Sequence, residues 1–133
     1  MGKRSTARRL AMQVLYQLEI NPAEDISEVL EHTMENDTFP DETNTFALDL
    51  IRGAWEARAE ADIQIKERSI GWSLERINPV DRSILRLSNY ELKHTETPQS
   101  VIINEAVNLA KRYGTEDSSR FINGILGGLV DKK

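Results

Sequence analysis

The stretch NPVDRSILRLSNYELK, residues 78–93, reads as one complete helix and decides the fold class. Asn78 is a good N-cap, Pro79 suits the first helical position, and Asp81 places an acid in the first turn. Val80, Ile84, Leu85, Leu87 and Leu92 define an inner face at helical spacing. Arg82, Arg86 and Lys93 make the outer face, the usual pattern of a solvated surface. Glu91 sits near the middle of the inner face. A carboxylate there must be hydrogen-bonded or ion-paired, because an unpaired buried charge costs several kcal/mol. No second carboxylate or histidine stands at an obvious partnering distance in sequence, so a structural network is preferred to a catalytic acid.

Helical spacing continues on both sides of this segment, with no convincing strand alternation. Downstream, Thr97-Pro98 repeats the cap-plus-proline start for a helix with Ile102, Ile103, Ala106, Leu109, Ala110 and Tyr113 inward. It ends near Gly114, which suits a left-handed C-terminal cap. Another helix begins near Glu116, turns Ile122, Leu126, Leu129 and Val130 inward, and fades after Gly127-Gly128. Upstream, Ser5 to Ile20 carries the stripe Ala7, Leu10, Ala11, Val14, Leu15 and Leu18, and Asn21-Pro22 stops it. Asp25 to Asn36 fits a second helix. Thr43 to Arg68 fits one long third helix, with Phe46, Leu50, Gly53, Ala54, Ala57, Ala61 and Ile65 on one stripe. Gly71-Trp72 marks a break, followed by a short turn over Ser73 to Ile77. The expectation is an all-α bundle of about seven helices, one domain over residues 1–133.

Charge is segregated along the chain. Residues 1–9 hold Lys3, Arg4, Arg8 and Arg9 and no acid, whereas residues 10–51 hold ten acids and no Lys or Arg. The net charge of −5 would repel nucleic acid on average. A basic cluster still creates a local positive field, because screening at physiological salt acts over roughly 8–10 Å. An RNA partner is therefore worth testing, although short basic starts are also common on solvated termini. The chain has no cysteine, which excludes disulfides, thiolate zinc sites and a Cys nucleophile. No apolar run approaches the roughly 20 residues of a membrane span, and the start lacks the apolar core of a signal peptide. The expected compartment is the cytoplasm. His32 and His94 lack metal-ligand spacing, and no phosphate loop, dinucleotide turn or nucleophile elbow is present. Nothing argues for an enzyme, a metal or a cofactor.

Some residues do not fit pure packing. Arg9, Gln13 and Tyr16 lie on nearly one line opposite the apolar stripe of the first helix, a composition found at binding surfaces. Phe121 lies about a quarter turn off the inner face of the last helix, beside Asp117 and Gly124. With Arg120, Lys111 and Arg112 nearby it could stack a base, an interaction worth about 1–3 kcal/mol. Rim packing is the plainer explanation of the same spacing.

Five strings in order, RRLAMQVLYQLE (8–19), GWSLERI (71–77), VDRSILRLSNYEL (80–92), INEAVNLAK (103–111) and FINGIL (121–126), resemble the NusB family of bacterial transcription antitermination factors. The resemblance covers nearly the whole chain. It implies two packed three-helix sub-bundles and a protein that binds boxA-type single-stranded nascent RNA together with NusE, a ribosomal small-subunit protein. Other Nus factors and RNA polymerase complete that complex, which suppresses termination, notably on ribosomal RNA operons. The resemblance implicates Lys3, Arg4, Arg8, Arg9, Asp117, Arg120 and Phe121 in RNA binding, with Lys111 and Arg112 as neighbours. It maps the NusE-facing surface to Tyr16, Glu75, Asp81 and Arg82. Some relatives form homodimers that cover the arginines, and the sequence leaves this open. Two rival readings are a protein–protein scaffold with no RNA role and a stand-alone relative of the helical domain that precedes RNA cytosine methyltransferases. The latter enzymes need a cofactor-binding domain and catalytic cysteines that this chain lacks.

Overall fold

The computed structural model describes residues 2–34, 37–69 and 76–130. Among the described residues lie seven helices and no strand: α1 Lys3–Ile20, α2 Ile26–Met34, α3 Asp41–Glu56, α4 Arg58–Arg68, α5 Pro79–His94, α6 Gln99–Tyr113 and α7 Ser118–Leu129. The all-α expectation holds. None of these helices is long and apolar enough to cross a membrane.

Helices α1, α2 and α3 pack on one another, as do α5, α6 and α7, which gives the two three-helix sub-bundles. The segment that decided the fold class joins them: α5 also packs against α1 and α3. Helix α4 bridges the two triads through contacts with α3, α5 and α7. Leu10 and Leu15 of α1, Leu50 and Ile51 of α3, Ile65 of α4, Ile84 and Leu85 of α5 and Ile122 of α7 are fully buried in one continuous core.

The start of α5 follows its sequence closely. The Asn78 side chain accepts a hydrogen bond from the Asp81 N–H at 2.9 Å, and Pro79 opens the helix. The next start differs, because Pro98 itself is the N-cap residue of α6 and no side chain caps that end. Gly114 is not left-handed. Its φ of −90° and ψ of −166° are extended, and the Thr115 N–H just beyond it donates to Ser118 Oγ at 2.8 Å. A Cβ at position 114 would fall 2.4 Å from that Ser118 hydroxyl, so the glycine answers to crowding rather than to a special φ. The break at Gly71-Trp72 and most of the turn at 73–77 lie outside the described residues.

The long third helix is in fact two. At Ala57 the chain leaves α3 and re-enters a helix as α4. Arg58 holds the break: its Nη1 donates to the Trp55 carbonyl at 2.6 Å while its guanidinium lies 3.9 Å from the centroid of the Trp55 ring. A side chain thus takes over a carbonyl that an unbroken helix would have satisfied. Alanine at 57 gives no hint of this in an apolar pattern. The small residues of α3 do allow close approach, because the Tyr90 ring of α5 lies against Gly53 and a Cβ there would meet it at 2.1 Å.

These glycines should respond oppositely to alanine. Gly127, inside α7 with open space around it, should gain about 0.5–1 kcal/mol on Gly127→Ala. Gly53→Ala must displace the Tyr90 ring and should cost roughly 1–3 kcal/mol. Urea midpoints for the two variants report both signs, and a stabilised Gly53→Ala would contradict the described contact.

Candidate nucleic-acid interface

The four cations at the start of α1 do not share one environment. Lys3 and Arg4 are exposed and Arg9 is half-buried. Lys3 pairs with Glu42 at 3.1 Å across solvent, an interaction of about 0–1 kcal/mol. Arg4 lies over the Phe46 ring at 4.5 Å, and Arg9 Nη1 donates to Gln13 Oε1 at 3.3 Å. Arg8 overturns the expectation of four surface cations. It is only 3% exposed, and its Nε and Nη2 donate to the two carboxylate oxygens of Glu91, each at 2.9 Å. Burial alone would lower the Arg8 pKa, but the hydrogen bonds and charge of Glu91, with Glu105 behind them, push it up. Arg8 is therefore held charged inside the protein and is not free to meet a phosphate. Glu91, 2% exposed, has found the partner its position demanded.

A second ionic cluster ties the other end of α1. Glu19 accepts from Arg82 through one oxygen and from Arg86 through the other. Arg86 also donates from Nε and Nη2 to the two oxygens of Asp62 on α4, both at 2.8 Å. Arg86 is thus buried, contrary to the solvated outer face read from the sequence. Arg82, expected at the NusE-facing surface, is half-buried and also donates to the Ile77 carbonyl. Burial by itself would raise the Glu19 pKa, but the hydrogen bonds and charges of Arg86 and Arg82 outweigh it and hold the carboxyl below its usual range.

The remaining expected residues gather around the starts of α5 and α7. A cavity of about 320 Å³ is lined by Arg76, Ile77, Asn78, Asp81, Thr115, Asp117, Ser118 and Phe121. Asp81 is 5% exposed, so it is not the open carboxylate expected for an ion pair with a partner. Burial pushes its pKa up, against hydrogen bonds with Ser118 and Asn78, and its Oδ1 has no hydrogen-bond partner among the described residues. Phe121 is half-buried at the cavity, with Asp117 and Arg120 exposed beside it. Lys111 and Arg112 are exposed on the last turn of α6, and Arg112 lies 5.1 Å from the Tyr113 ring centroid. Tyr16 lines a neighbouring cavity of about 370 Å³ with Met12, Gln13, Gln17, His32, Thr33, Val80 and Tyr113. The two cavities flank the first turn of α5, through Val80 on one side and Asp81 on the other. Glu75 lies outside the described residues.

Phe46 is the functional candidate that the sequence hid. Its spacing assigns it to the buried stripe of the third helix, yet it is half-buried beneath the guanidinium groups of Arg4 and Arg8. Only a contact between distant positions reveals it. Arg4, Arg8 and Phe46 share an open concavity with Thr95, Glu96, Thr97, Pro98, Val101 and Glu105.

This architecture defines a small helical protein of two interlocked three-helix sub-bundles, with exposed cations on its first helix and an aromatic-edged cavity at its last. The chain belongs to the NusB family, whose model matches residues 5–131. Transcription antitermination protein NusB of Symbiobacterium thermophilum is 45% identical over 96% of this chain and 88% of its own length. Among solved structures, T. maritima NusB superposes with a TM-score of 0.85 at 38% identity, covering 95% of this chain and 89% of the other. A crystal structure of antitermination factors NusB and NusE in complex with dsRNA contains a similar chain. That chain gives a TM-score of 0.82 at 28% identity, with 96% and 95% covered.

Two stability experiments test the ionic framework. Arg8→Ala strands a buried carboxylate and should cost about 3–5 kcal/mol, whereas leucine at both 8 and 91 should recover most of that loss; an equally unstable double variant would refute the assignment. For pH, the depressed Glu19 pKa supplies stability that is full above the ordinary Glu range and lost as pH falls through the folded value. The raised Asp81 pKa acts in the opposite sense, favouring the fold as that group protonates. In acid denaturation curves Glu19→Gln should therefore flatten the low-pH limb, and Asp81→Asn should steepen it.

Proposed function

We propose that this chain is a non-enzymatic transcription antitermination factor. It binds boxA-type single-stranded nascent RNA together with NusE and supports transcription of ribosomal RNA operons from the cytoplasm. Other Nus factors and RNA polymerase complete the assembly. The observation that carries this reading is the match to the NusB family across residues 5–131. The partnership with NusE and with RNA is supported by the similar chain solved with NusE and dsRNA.

The chemistry fits an adaptor. Lys3, Arg4 and Arg9 are the α1 cations available to neutralise phosphates, and Lys111, Arg112 and Arg120 add charge near Phe121. Phe121 offers a stacking face, and the Asp117 carboxylate beside it accepts hydrogen bonds from base amino groups. Tyr16 and the rim of its cavity form the proposed NusE-facing surface. Asp81, buried with hydrogen bonds to Ser118 and Asn78, is a framework residue at the start of α5 rather than a direct partner contact. Arg82 and Arg8 act as framework residues that hold these surfaces in place.

Binding through Z phosphate contacts to a single strand should weaken with a log–log salt slope near −0.7Z. Arg4→Ala with Arg9→Ala should lower affinity for a boxA-type strand and flatten that slope, while the melting temperature stays close to that of the parent. Fluorescence titrations at several salt concentrations, with purified NusE present and with a scrambled strand and an RNA duplex as competitors, measure this. Equal binding of boxA-type and scrambled strands would favour a scaffold role instead. Preference for the duplex would overturn the single-strand assignment.

A further inference from the structure

We propose that Phe46 is a positioning residue for RNA binding: its ring holds the Arg4 guanidinium in place before a phosphate arrives, which makes Arg4 the principal phosphate contact of α1. The inference rests on the RNA-binding reading above and deepens it, by ranking cations which that reading treats alike and by adding an uncharged residue. Two helical turns face each other where α1 packs on α3. Glu42 and Phe46, one turn apart on α3, meet Lys3 and Arg4 of α1. The two meetings differ in kind. Lys3 Nζ donates to a carboxylate at 3.1 Å, whereas Arg4 lies 4.5 Å from the centroid of a ring. Arg9 is half-buried and donates from Nη1 to Gln13. Arg4 is exposed, and among the described residues no carboxylate, carbonyl or amide accepts from it.

The difference matters to a phosphate. An ion pair engages the donors that an anion needs, and the carboxylate in it repels a second anion. A π face attracts the cation through its quadrupole and brings no net charge. Arg4 therefore keeps its full charge and its fork of N–H donors for a bidentate phosphate contact. An unsupported arginine must be ordered when it binds, and the ring removes part of that cost beforehand. The ring can do this because it is itself fixed. Phe46 is half-buried, packs against the core and lies 5.5 Å from the Arg8 guanidinium, which two hydrogen bonds to Glu91 immobilise. Two acids border the same concavity. Glu105 accepts from Ser5 at 2.6 Å and lies 4.0 Å from Arg8, and Glu96 is exposed. An anion is thus favoured at Arg4 rather than across the whole hollow.

A double-mutant cycle tests this with the full chain, purified NusE and a boxA-type strand. Phe46→Leu removes the π face and changes no charge. It should weaken RNA binding about two- to tenfold, the range set by ordering one long side chain. Phe46→Tyr keeps the π face and should bind like the parent. In an Arg4→Ala background Phe46→Leu should have no further effect, whereas in an Arg9→Ala background its whole effect should remain. A ring that merely supports the fold would weaken binding in both backgrounds alike, and that result overturns the proposal. Parent-like binding by Phe46→Leu overturns it too. Because Phe46 touches the core, proton NMR of the parent supplies a measurement that needs no variant. The Arg4 side-chain resonances should lie upfield of those of an unstructured arginine, displaced by the ring current, and should stay displaced when the strand binds. Arg4 resonances at unstructured values, before or after binding, would show that the ring does not hold the guanidinium. Failure of the parent to bind the strand at all would instead refute the RNA-binding reading itself.

Discussion

The buried pair between Arg8 and Glu91 is the constraint around which the two sub-bundles are arranged. It joins the beginning of α1 to the end of α5. The Glu19 cluster joins the end of α1 to the beginning of α5. Two ionic locks at opposite ends can close only if the helices run antiparallel and in one register. Apolar packing between α1 and α5 tolerates sliding by a turn, since leucines replace one another with modest cost. A buried guanidinium does not tolerate it, because a shift of one turn would leave a charge without its partner. The locks therefore contribute more to the uniqueness of the arrangement than to its total stability.

The same locks sort the arginines by role. Arg8, Arg82 and Arg86 are engaged inward, so the electrostatic surface is smaller than a count of basic residues suggests. Of the cations assigned to the candidate interface, Lys3, Arg4 and Arg9 remain available at one flank and Lys111, Arg112 and Arg120 at the other. Each set stands beside an aromatic, Phe46 or Phe121. A chain with an acidic average charge can thus hold two local cationic regions only because its acids are gathered elsewhere or are consumed internally, as Glu19, Asp62, Glu91 and Glu105 are.

Much of the fold was legible because helical periodicity and end signals are local. Asn78 and Pro79 announced α5, and the stripes of α1, α6 and α7 named most of the buried residues. Glu91 on an inner face announced a partner without naming it. The identity of that partner was not legible, since residues 8 and 91 meet only through the packing of α1 on α5. The break at Ala57 was invisible for a related reason: its stabiliser is a side chain reaching back to a carbonyl, a device that leaves apolar spacing untouched. Arg86 was misread because a cation opposite an apolar face is ordinarily solvated, and here α4 and the end of α1 cover it. Of the site, the cationic start and Phe121 were visible in sequence. The cavity that unites Asp81 with Phe121, and the exposure that separates Arg4 from Arg8, required three dimensions.

The seating of the Tyr90 ring on Gly53 sets the spacing of α3 and α5 by the thickness of one aromatic ring against bare backbone. Positions 53 and 90 are therefore not free to drift independently among homologues. A larger residue at 53 is compatible with this spacing only alongside a slimmer one at 90, and a glycine facing a small residue would leave a void. Sequence variation at the two sites should be paired, a mark of interhelical distance that can be read without coordinates.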